Sequence, residues 1–243
     1  MYYFASDLHL GLASMAATHD RERLFVKWLE EVSTDAKAIF LVGDIFDFWF
    51  EYKRVIPQGY TRILGKLSEL SDRGVEIHLF TGNHDMWCLD YFERECGVKI
   101  HYGPYITTLY GKKVYIDHGN MIPRGGFWHW FMNFMFTSKV VRGFFRGLLH
   151  PNFTMWFGQK WSLSSRQSKS VSSEFRSEGE PIVDFARNML TKEPMDYFIF
   201  GHLHCRANYP LSESCRLIML GEWVEGTTYA KMDPSGEITL LNY

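Results

Sequence analysis

The sequence predicts an α/β (α+β) fold, and three observations support this. Short β-rich runs alternate with helical patterns along the first half of the chain, as in βαβ units with parallel strand pairs. The chain has 243 residues and is 46% hydrophobic, which is enough to bury a core without disulfide staples. Polar residues and glycines follow the predicted strands, where an open α/β sheet binds its ligands.

Five short apolar runs are predicted as β-strands, at residues 2–5, 38–42, 75–80, 113–116 and 197–200. Apolar residues at helical spacing predict two helices between the first three strands. The first stripe contains Leu24, Phe25, Trp28, Leu29 and Val32. The second contains Tyr60, Ile63, Leu64, Leu67 and Leu70, with Gly74 at the position of a C-terminal cap.

The pattern changes in the second half of the chain. Residues 109–112 predict a hairpin turn, and residues 231–237 predict a second hairpin loop. Between them, a long aromatic and basic stretch at 121–177 predicts an inserted helical unit. We therefore divide the chain into a core, residues 1–120 and 181–243, and a cap segment, residues 121–180.

The charged residues are unevenly distributed. The 26 Lys and Arg against 28 Asp and Glu give a net charge of −2, which argues against a nucleic-acid partner. Residues 121–173, however, contain seven basic side chains, no acidic one and 12 large aromatic rings. This composition favours contact with an anionic lipid surface or a phosphorylated substrate. The alternative is that the rings form the core of the inserted unit.

The four cysteines form no CxxC pair and no dense framework, so reduced thiols are expected. A disulfide between Cys88 and Cys96 is the alternative. The first residues lack the basic and apolar regions of a signal peptide, and no stretch reaches the roughly 20 apolar residues of a membrane span. We expect a cytoplasmic protein that is able to contact a membrane surface.

Five polar clusters each follow a predicted strand. They are Asp7-Leu8-His9, Gly43-Asp44-Ile45-Phe46-Asp47, Gly82-Asn83-His84-Asp85, His118-Gly119-Asn120 and Gly201-His202-Leu203-His204. Because strand ends of an open α/β sheet share one edge, clusters far apart in sequence can meet there. Together they offer imidazole, carboxylate and amide groups in the number needed by two divalent ions, with manganese, iron or zinc as suitable metals.

Two local features favour such a shared site. In the DxH and HxH motifs, an extended backbone would project both side chains to the same side. Glycines would let the chain turn sharply as it leaves each strand, at Gly43, Gly82, Gly119 and Gly201. Each cluster alone has an ordinary explanation, with Asp7 as a strand-end cap, Asn83 as a turn residue and His118 as a core histidine.

The series DxH, GDxxD, GNHD, HG and GHxH resembles that of the calcineurin-like metallophosphoesterase superfamily, over nearly the whole chain. The resemblance implies a four-layer αββα sandwich and a two-metal hydrolase. It places one ion on Asp7, His9, Asp44 and His204, and the other on Asp44, Asn83, His118 and His202. The ions, manganese by family expectation, would stand about 3.5 to 4 Å apart and activate a water between them.

The same resemblance implies roles for three further residues. His84 is free to face the substrate phosphate as an electrophile or a general acid, and Asp85 would hold and polarise its imidazole. Asp47 would accept a hydrogen bond from a ligand histidine and fix its tautomer. The alternative for Asp47 is a solvated acid at the start of a helix.

Within the superfamily, the chain most resembles the UDP-2,3-diacylglucosamine hydrolases of lipid A biosynthesis, in its length, its helical insertion and its Gly221-Glu222-Trp223 segment. This implies a lipid-linked UDP-sugar as substrate, split at its pyrophosphate into UMP and a diacylated sugar phosphate. It also implies peripheral binding to an anionic surface, the cytoplasmic face of the inner membrane. The substrate-binding residues implied are Asn83, His84, Ser162, Arg166, Lys169 and His202. A solvated helix face is the alternative for the three residues in the cap segment.

Two positions depart from that pattern. His84 stands where the well-known members carry arginine, and Asn120 stands where they carry aspartate. Both positions concern recognition of the head group. The alternatives left open are another lipid diphosphate hydrolase, a soluble phosphodiesterase or phosphatase on nucleotides or phosphoproteins, and a metal-containing scaffold or lipid-binding protein. The sequence predicts neither the acyl-chain length nor the oligomeric state.

Overall fold

The computed structural model describes residues 1–12, 14–122, 134, 138–167 and 175–243, with the side chains of residues 159 and 163–167 excepted. Within these ranges two β-sheets pack face to face, and helices cover the outer face of each sheet. Apolar side chains of both inner faces form the middle of the core, among them Phe4, Phe40, Ile116 and Ile199. This confirms the predicted four-layer αββα architecture.

The first sheet has six strands. They are β1 (Tyr2–Ala5), β2 (Ala38–Val42), β3 (Glu76–Phe80), β4 (Lys99–His101), β10 (Thr228–Met232) and β11 (Ile238–Asn242). Their spatial order is β11-β10-β1-β2-β3-β4, with β1 to β4 parallel and the last two strands of the chain antiparallel to their neighbours. The carboxyl ends of four parallel strands therefore lie side by side.

The second sheet has five strands. They are β5 (Tyr105–Leu109), β6 (Lys112–Asp117), β7 (Tyr197–Phe200), β8 (Arg206–Pro210) and β9 (Arg216–Leu220). Their order is β5-β6-β7-β9-β8, with β6, β7 and β9 parallel. The predicted turn between β5 and β6 is confirmed, since Tyr110 and Gly111 both have positive φ, as a two-residue hairpin turn requires.

Six α-helices lie in the described residues. They are α1 (Met15–Val32), α2 (Thr61–Asp72), α3 (Tyr91–Cys96), α4 (Lys139–Leu148), α5 (Pro151–Gln167) and α6 (Pro181–Leu190). Helices α1 to α3 cover the first sheet and α6 covers the second. Helices α4 and α5 lie in the cap segment, whose boundaries at 121 and 180 stay a prediction. No helix of the described ranges is long and apolar enough to cross a membrane.

The prediction that Leu24 belongs to the buried face of α1 is wrong. Leu24 is 37% exposed, whereas Glu22 on the same helix is fully buried. The Glu22 carboxylate accepts hydrogen bonds from the backbone amides of Arg62 and Ile63, at 3.0 and 3.2 Å. It thereby caps the first turn of α2, where Tyr60 provides no side-chain cap.

All four cysteines are free and buried. The expected reduced thiols are confirmed, and the alternative disulfide between Cys88 and Cys96 is wrong. The stability of the core therefore depends on packing.

Candidate metal centre

The carboxyl ends of strands from both sheets meet at one edge of the sandwich. Asp7 follows β1 and Asp44 follows β2, while His118 follows β6 and the GHxH segment follows β7. Ligand atoms of three overlapping groups lie within 4.8 Å of one another. The groups are Asp7, His9 and His204; Asp44, His118 and His202; and His9, Asp44 and His84. The structure thus brings together the histidines and aspartates that sequence analysis assigned to two ions.

The backbone of these residues is unusual. Five of them adopt positive φ, namely Asp7 (54°), His9 (46°), Asp44 (52°), His202 (69°) and His204 (55°). The extended backbone expected for the DxH and HxH motifs is therefore wrong. Non-glycine residues in the left-handed region are strained, and such strain concentrates at functional sites. The left-handed residues turn the chain just past each strand and direct the side chains inward.

Two glycines permit this close approach. Gly43 has φ +81°, and a Cβ at this position would overlap the ring of His118. Gly82 has no positive φ, and its role is different from the sharp turn expected, because a Cβ there would overlap Asp44. A side chain at either glycine would displace a candidate ligand.

The two oxygens of the buried Asp7 carboxylate face different groups. Oδ2 accepts hydrogen bonds from the Ser6 hydroxyl at 2.6 Å and from the His202 amide at 2.9 Å. Oδ1 lies 3.6 Å from His9 Nε2 and 3.3 Å from His204 Nε2. One oxygen is thus fixed by the protein, and the other is directed at two imidazoles.

The two oxygens of the Asp44 carboxylate also face different partners, and this residue lies between His9 and His118. Its Oδ1 accepts from the His84 amide at 2.9 Å. Its Oδ2 lies 3.8 Å from His9 Nε2 and 3.3 Å from His118 Nε2. A single oxygen, Oδ2, therefore faces histidines of both groups.

The remaining donors fit a pair of divalent ions. His118 Nδ1 lies 2.8 Å from the carbonyl oxygen of Val42, which fixes the proton there and leaves Nε2 as the donor atom. The buried Oδ1 of Asn83 has no hydrogen-bond partner among the described residues. An orphaned amide oxygen beside imidazoles and carboxylates is a donor set suited to manganese, iron or zinc.

The electrostatics keep both carboxylates ionised. Burial opposes ionisation of Asp44, but His118 and His84 hold its pKa well below the ordinary value. Burial likewise opposes ionisation of Asp7, yet the hydrogen bond with His9 and the charges of His118 and His204 lower its pKa to about 2. Metal-binding oxygens are therefore available at neutral pH.

Asp85 does not hold His84 as expected. Its carboxylate is fully buried and accepts from the backbone amides of Gly82 at 2.7 Å and Ile45 at 2.8 Å. His84 Nδ1 instead lies 2.9 Å from the carbonyl oxygen of Asp47. Burial and the negative charge of Asp44 raise the pKa of Asp85 to about 6. Asp85 joins the loops that follow β2 and β3, and the predicted polarising role is wrong.

Asp47 lies beside a candidate ligand. It is only 4% exposed, so the alternative of a solvated acid is wrong. Its Oδ1 is 3.5 Å from His9 Nδ1, the position predicted for an acceptor that orients a ligand histidine. Its Oδ2 accepts a hydrogen bond from the Ser162 hydroxyl at 2.7 Å.

The proposed substrate residues of the cap segment are only partly described. Ser162 is buried, and its hydroxyl is directed at Asp47. The side chain of Arg166 and the whole of Lys169 lie outside the described residues. Substrate binding by these three residues, and by Asn83, His84 and His202, stays a prediction.

Sequence reasoning missed Arg21, which braces the first metal-binding loop. From α1, its Nη1 donates to the carbonyl oxygen of His9 at 2.9 Å and to that of Leu8 at 3.3 Å. No feature of the sequence pattern pointed to this contact, because it depends on how α1 packs on the sheet.

A cavity of about 510 Å³ opens beside the metal-binding edge. Its lining combines polar groups next to the candidate ligands with apolar side chains and two cations from α4. These residues include Asp117, Asn120, Met86, Leu89, Lys139 and Arg142. The cavity can hold a ligand with an anionic part and an apolar part.

The described part of the cap segment exposes much apolar surface. On α4, Val140 is 82% exposed, Phe144 53% and Leu148 74%, and these residues lie four apart on one face. On α5, Phe153 and Trp156 are about half exposed. The alternative that the aromatic rings form the core of the cap segment is therefore wrong for Phe144, Phe153 and Trp156.

Comparison with known proteins places the chain among phosphoesterases. A family model described as calcineurin-like phosphoesterase matches residues 2–206. A protein of Porphyromonas gingivalis named UDP-2,3-diacylglucosamine hydrolase is 36% identical over 95% of this chain and 93% of its own length. Proteins of the same name from Hahella chejuensis and Haemophilus influenzae are 28% and 27% identical, each over 98% of this chain. The similarity therefore includes the cap segment as well as the core.

Proposed function

The chain belongs to the calcineurin-like phosphoesterase family, and from this premise we propose that it hydrolyses the pyrophosphate bond of UDP-2,3-diacylglucosamine to UMP and 2,3-diacylglucosamine 1-phosphate. It is a metal-dependent hydrolase of phosphoric esters or pyrophosphates. The observation that carries the substrate assignment is the similarity to hydrolases of that name along the whole chain.

We propose that the site binds two divalent ions, manganese first among them. One ion would be held by Asp7, His9, Asp44 and His204, and the other by Asp44, Asn83, His118 and His202. When bound, the ions supply Lewis-acid activation of water and charge neutralisation at the phosphoryl group. The protein's own part is to fix the donor atoms, as the backbone hydrogen bonds to Asp7 Oδ2 and Asp44 Oδ1 do.

His84 is proposed to serve the substrate side of the site. Its Nδ1 is held by the carbonyl oxygen of Asp47, which leaves Nε2 for a phosphoryl or leaving-group oxygen. Burial lowers the pKa of His84, while the charges of Asp44 and Asp47 oppose this change. The bound ions would oppose protonation of the ring, and the negative charge of a bound diphosphate would offset this effect and favour the protonated form that a general acid requires.

The cavity next to the ligands supports a substrate with two kinds of surface. Lys139 and Arg142 supply positive charge for phosphate, and Met86 and Leu89 supply apolar wall for an acyl chain. Both cations come from α4, so the cap segment forms one wall of the proposed substrate cleft.

We further propose that the cap segment binds peripherally to an anionic membrane surface. The apolar faces of α4 and α5 point outward, and the Lys160 ammonium lies 4.8 Å from the ring centre of Trp156. Exposed apolar side chains interleaved with cations are the composition of interfacial helices. A soluble phosphodiesterase would have no use for such a surface.

Product analysis tests the proposed function. With Mn²⁺ and UDP-2,3-diacylglucosamine, mass spectrometry should find UMP and the diacylated sugar phosphate in equal amounts, and Asp44→Ala should form neither. The same UDP-sugar without acyl chains and a chromogenic phosphodiester are the comparison substrates. Faster hydrolysis of these two would favour a soluble phosphodiesterase, and activity on none of the three would favour a scaffold or lipid-binding protein.

A further inference from the structure

Helix α5 contacts the loop after β2 through residues on one helix face. Thr154 accepts a hydrogen bond from the Tyr52 hydroxyl at 2.7 Å. Four residues later, Gly158 packs so closely on the Phe48 ring that a Cβ there would overlap the ring. Four residues further, the Ser162 hydroxyl donates to Asp47 at 2.7 Å. Positions separated by four lie on the same face of a helix, so this face seats α5 on residues 47–52.

Asp47 is the point at which this contact reaches the metal centre. Its carboxylate has Ser162 at one oxygen and His9 Nδ1 at the other, and its carbonyl oxygen faces His84 Nδ1. The Trp49 amide also donates to the carbonyl oxygen of His84, at 3.2 Å. A displacement of this loop would therefore move one candidate ligand and the residue proposed to face the substrate.

We propose that Ser162 is a positioning residue that acts through Asp47, so that the seating of α5 and metal binding at His9 are coupled. The Ser162 hydroxyl fixes the rotation of the Asp47 carboxylate, and the carboxylate fixes the proton and the ring plane of His9. His9 then presents Nε2 toward Asp7 and Asp44. Because such coupling is reciprocal, metal binding in turn favours the seated cap helix.

This inference rests on the metal centre of the proposed function but assigns Ser162 a task other than substrate contact. The three residues of this series of contacts are all buried, with Ser162 at 5%, Asp47 at 4% and His9 at 0% exposure. Water therefore does not replace the serine hydroxyl readily when it is removed.

Calorimetric titration of the metal-free, full-length chain with Mn²⁺, without substrate, tests the coupling. Ser162→Ala should lower the affinity for one of the two ions by about 10-fold, which is the lower end of the loss seen when a residue that orients a metal ligand is removed. Ser162→Thr should restore that affinity. Thr154→Val, which removes a hydroxyl from the same helix face but not from Asp47, is the matched control and should change it less. With substrate, Ser162→Ala should lower kcat more than it raises KM.

A double-mutant cycle makes the test specific. If Ser162 acts through Asp47, adding Ser162→Ala to Asp47→Asn should weaken Mn²⁺ binding no further than Asp47→Asn alone. Additive losses would overturn the proposal. So would unchanged Mn²⁺ affinity in Ser162→Ala with a raised KM, which would make Ser162 a substrate contact. Because the titration contains no substrate, the Mn²⁺ affinities and their additivity are independent of whether UMP is formed.

Hydrogen exchange gives a second readout of the same coupling. Mn²⁺ should slow amide exchange in residues 151–162 of the wild-type protein, and this effect should be smaller in Ser162→Ala. Equal slowing in both proteins, with both shown to be folded by circular dichroism, would contradict a route through Ser162.

Discussion

His84 lies beside the candidate ligands and is the residue proposed to face the substrate. Its ring centre is 4.9 Å from that of His9, and one of its nitrogens is held by a backbone carbonyl. Its possible ligand atom also lies within 4.8 Å of those of His9 and Asp44. A direct role in metal binding is therefore the competing hypothesis.

Substitution of His84 separates these two roles. His84→Ala should retain both ions by elemental analysis while turnover falls by roughly 100-fold or more, the effect of losing a general acid or an oxyanion donor. His84→Arg, which places the arginine of the well-known members here, should keep substantial activity. Loss of metal together with activity would make His84 a ligand.

Asp85 is expected to matter for stability. An asparagine there would direct an NH₂ group at the backbone amides that now donate to the carboxylate, leaving buried donors without acceptors. Asp85→Asn should lower the free energy of unfolding by about 2 kcal/mol in urea denaturation. The exposed Asp20→Asn is the control. A fully stable Asp85→Asn protein with impaired turnover would instead favour a role in polarising His84.

At the residue scale, the sequence predicts which side chains bind metal better than it predicts their backbone conformation or their hydrogen-bond partners. Asp7, His9 and Asp44 were found because few other side chains bind metals and because they follow strands. Their left-handed backbone was not predicted, and Asp85 accepts from the amide of Ile45, 40 residues away, and not from His84 beside it. No local pattern encodes those contacts.

At the scale of elements, periodicity predicted most bounds to within one residue. The predicted strand at 75–80 is Glu76–Phe80, and the strand at 113–116 extends to Lys112–Asp117. A run of apolar residues is a feature of the local sequence, which explains this agreement. Glu22 was missed because its partner is the first turn of another helix, 40 residues away.

Strands β3 and β4 carry a histidine pair away from the metal centre. His78 Nδ1 lies 2.7 Å from His101 Nε2, and His78 Nε2 lies 3.0 Å from Glu76 Oε1. Tyr105 packs against both rings. Burial, His78 and Lys99 lower the pKa of His101 to about 4 from its ordinary 6.5.

This pair predicts a pH dependence of stability. Between about pH 6.5 and 4 the unfolded chain binds a proton at residue 101 that the folded chain does not, so the stabilisation is complete above pH 6.5 and is lost as the pH falls. His101→Asn should remove about 1 kcal/mol of the decrease in unfolding free energy between pH 7 and 5, allowing for partial exposure. Urea denaturation at the two pH values measures this. Identical pH slopes for both proteins would contradict the assignment.

At the scale of the whole molecule, the cap segment combines a contact with the metal centre and an exposed apolar face. The exposed face predicts binding to anionic vesicles. Val140→Glu with Leu148→Glu should reduce sedimentation with such vesicles at least 10-fold, since two exposed apolar groups become anionic. Met15→Glu, on an equally exposed residue of α1, should have little effect. Equal sedimentation of all three proteins would remove the membrane proposal.

The two sheets jointly build the metal centre, since Asp7 and Asp44 follow strands of the first sheet and His118 and His204 follow strands of the second. The clusters at strand ends predicted a shared site at one sheet edge, and only the family resemblance implied that two sheets contribute to it. Asp44, which lies between the two groups, is proposed to be shared by two ions.

Manganese content after equilibrium dialysis tests that claim most directly. The wild-type chain should retain two ions, and His204→Ala and His118→Ala should each retain one, because each histidine belongs to a different group. Asp44→Ala should retain neither at the same free Mn²⁺ concentration, whereas His101→Ala, away from the site, should keep both. A wild-type content of one ion, or an Asp44→Ala protein that loses no more metal than the single histidine variants, would contradict the account.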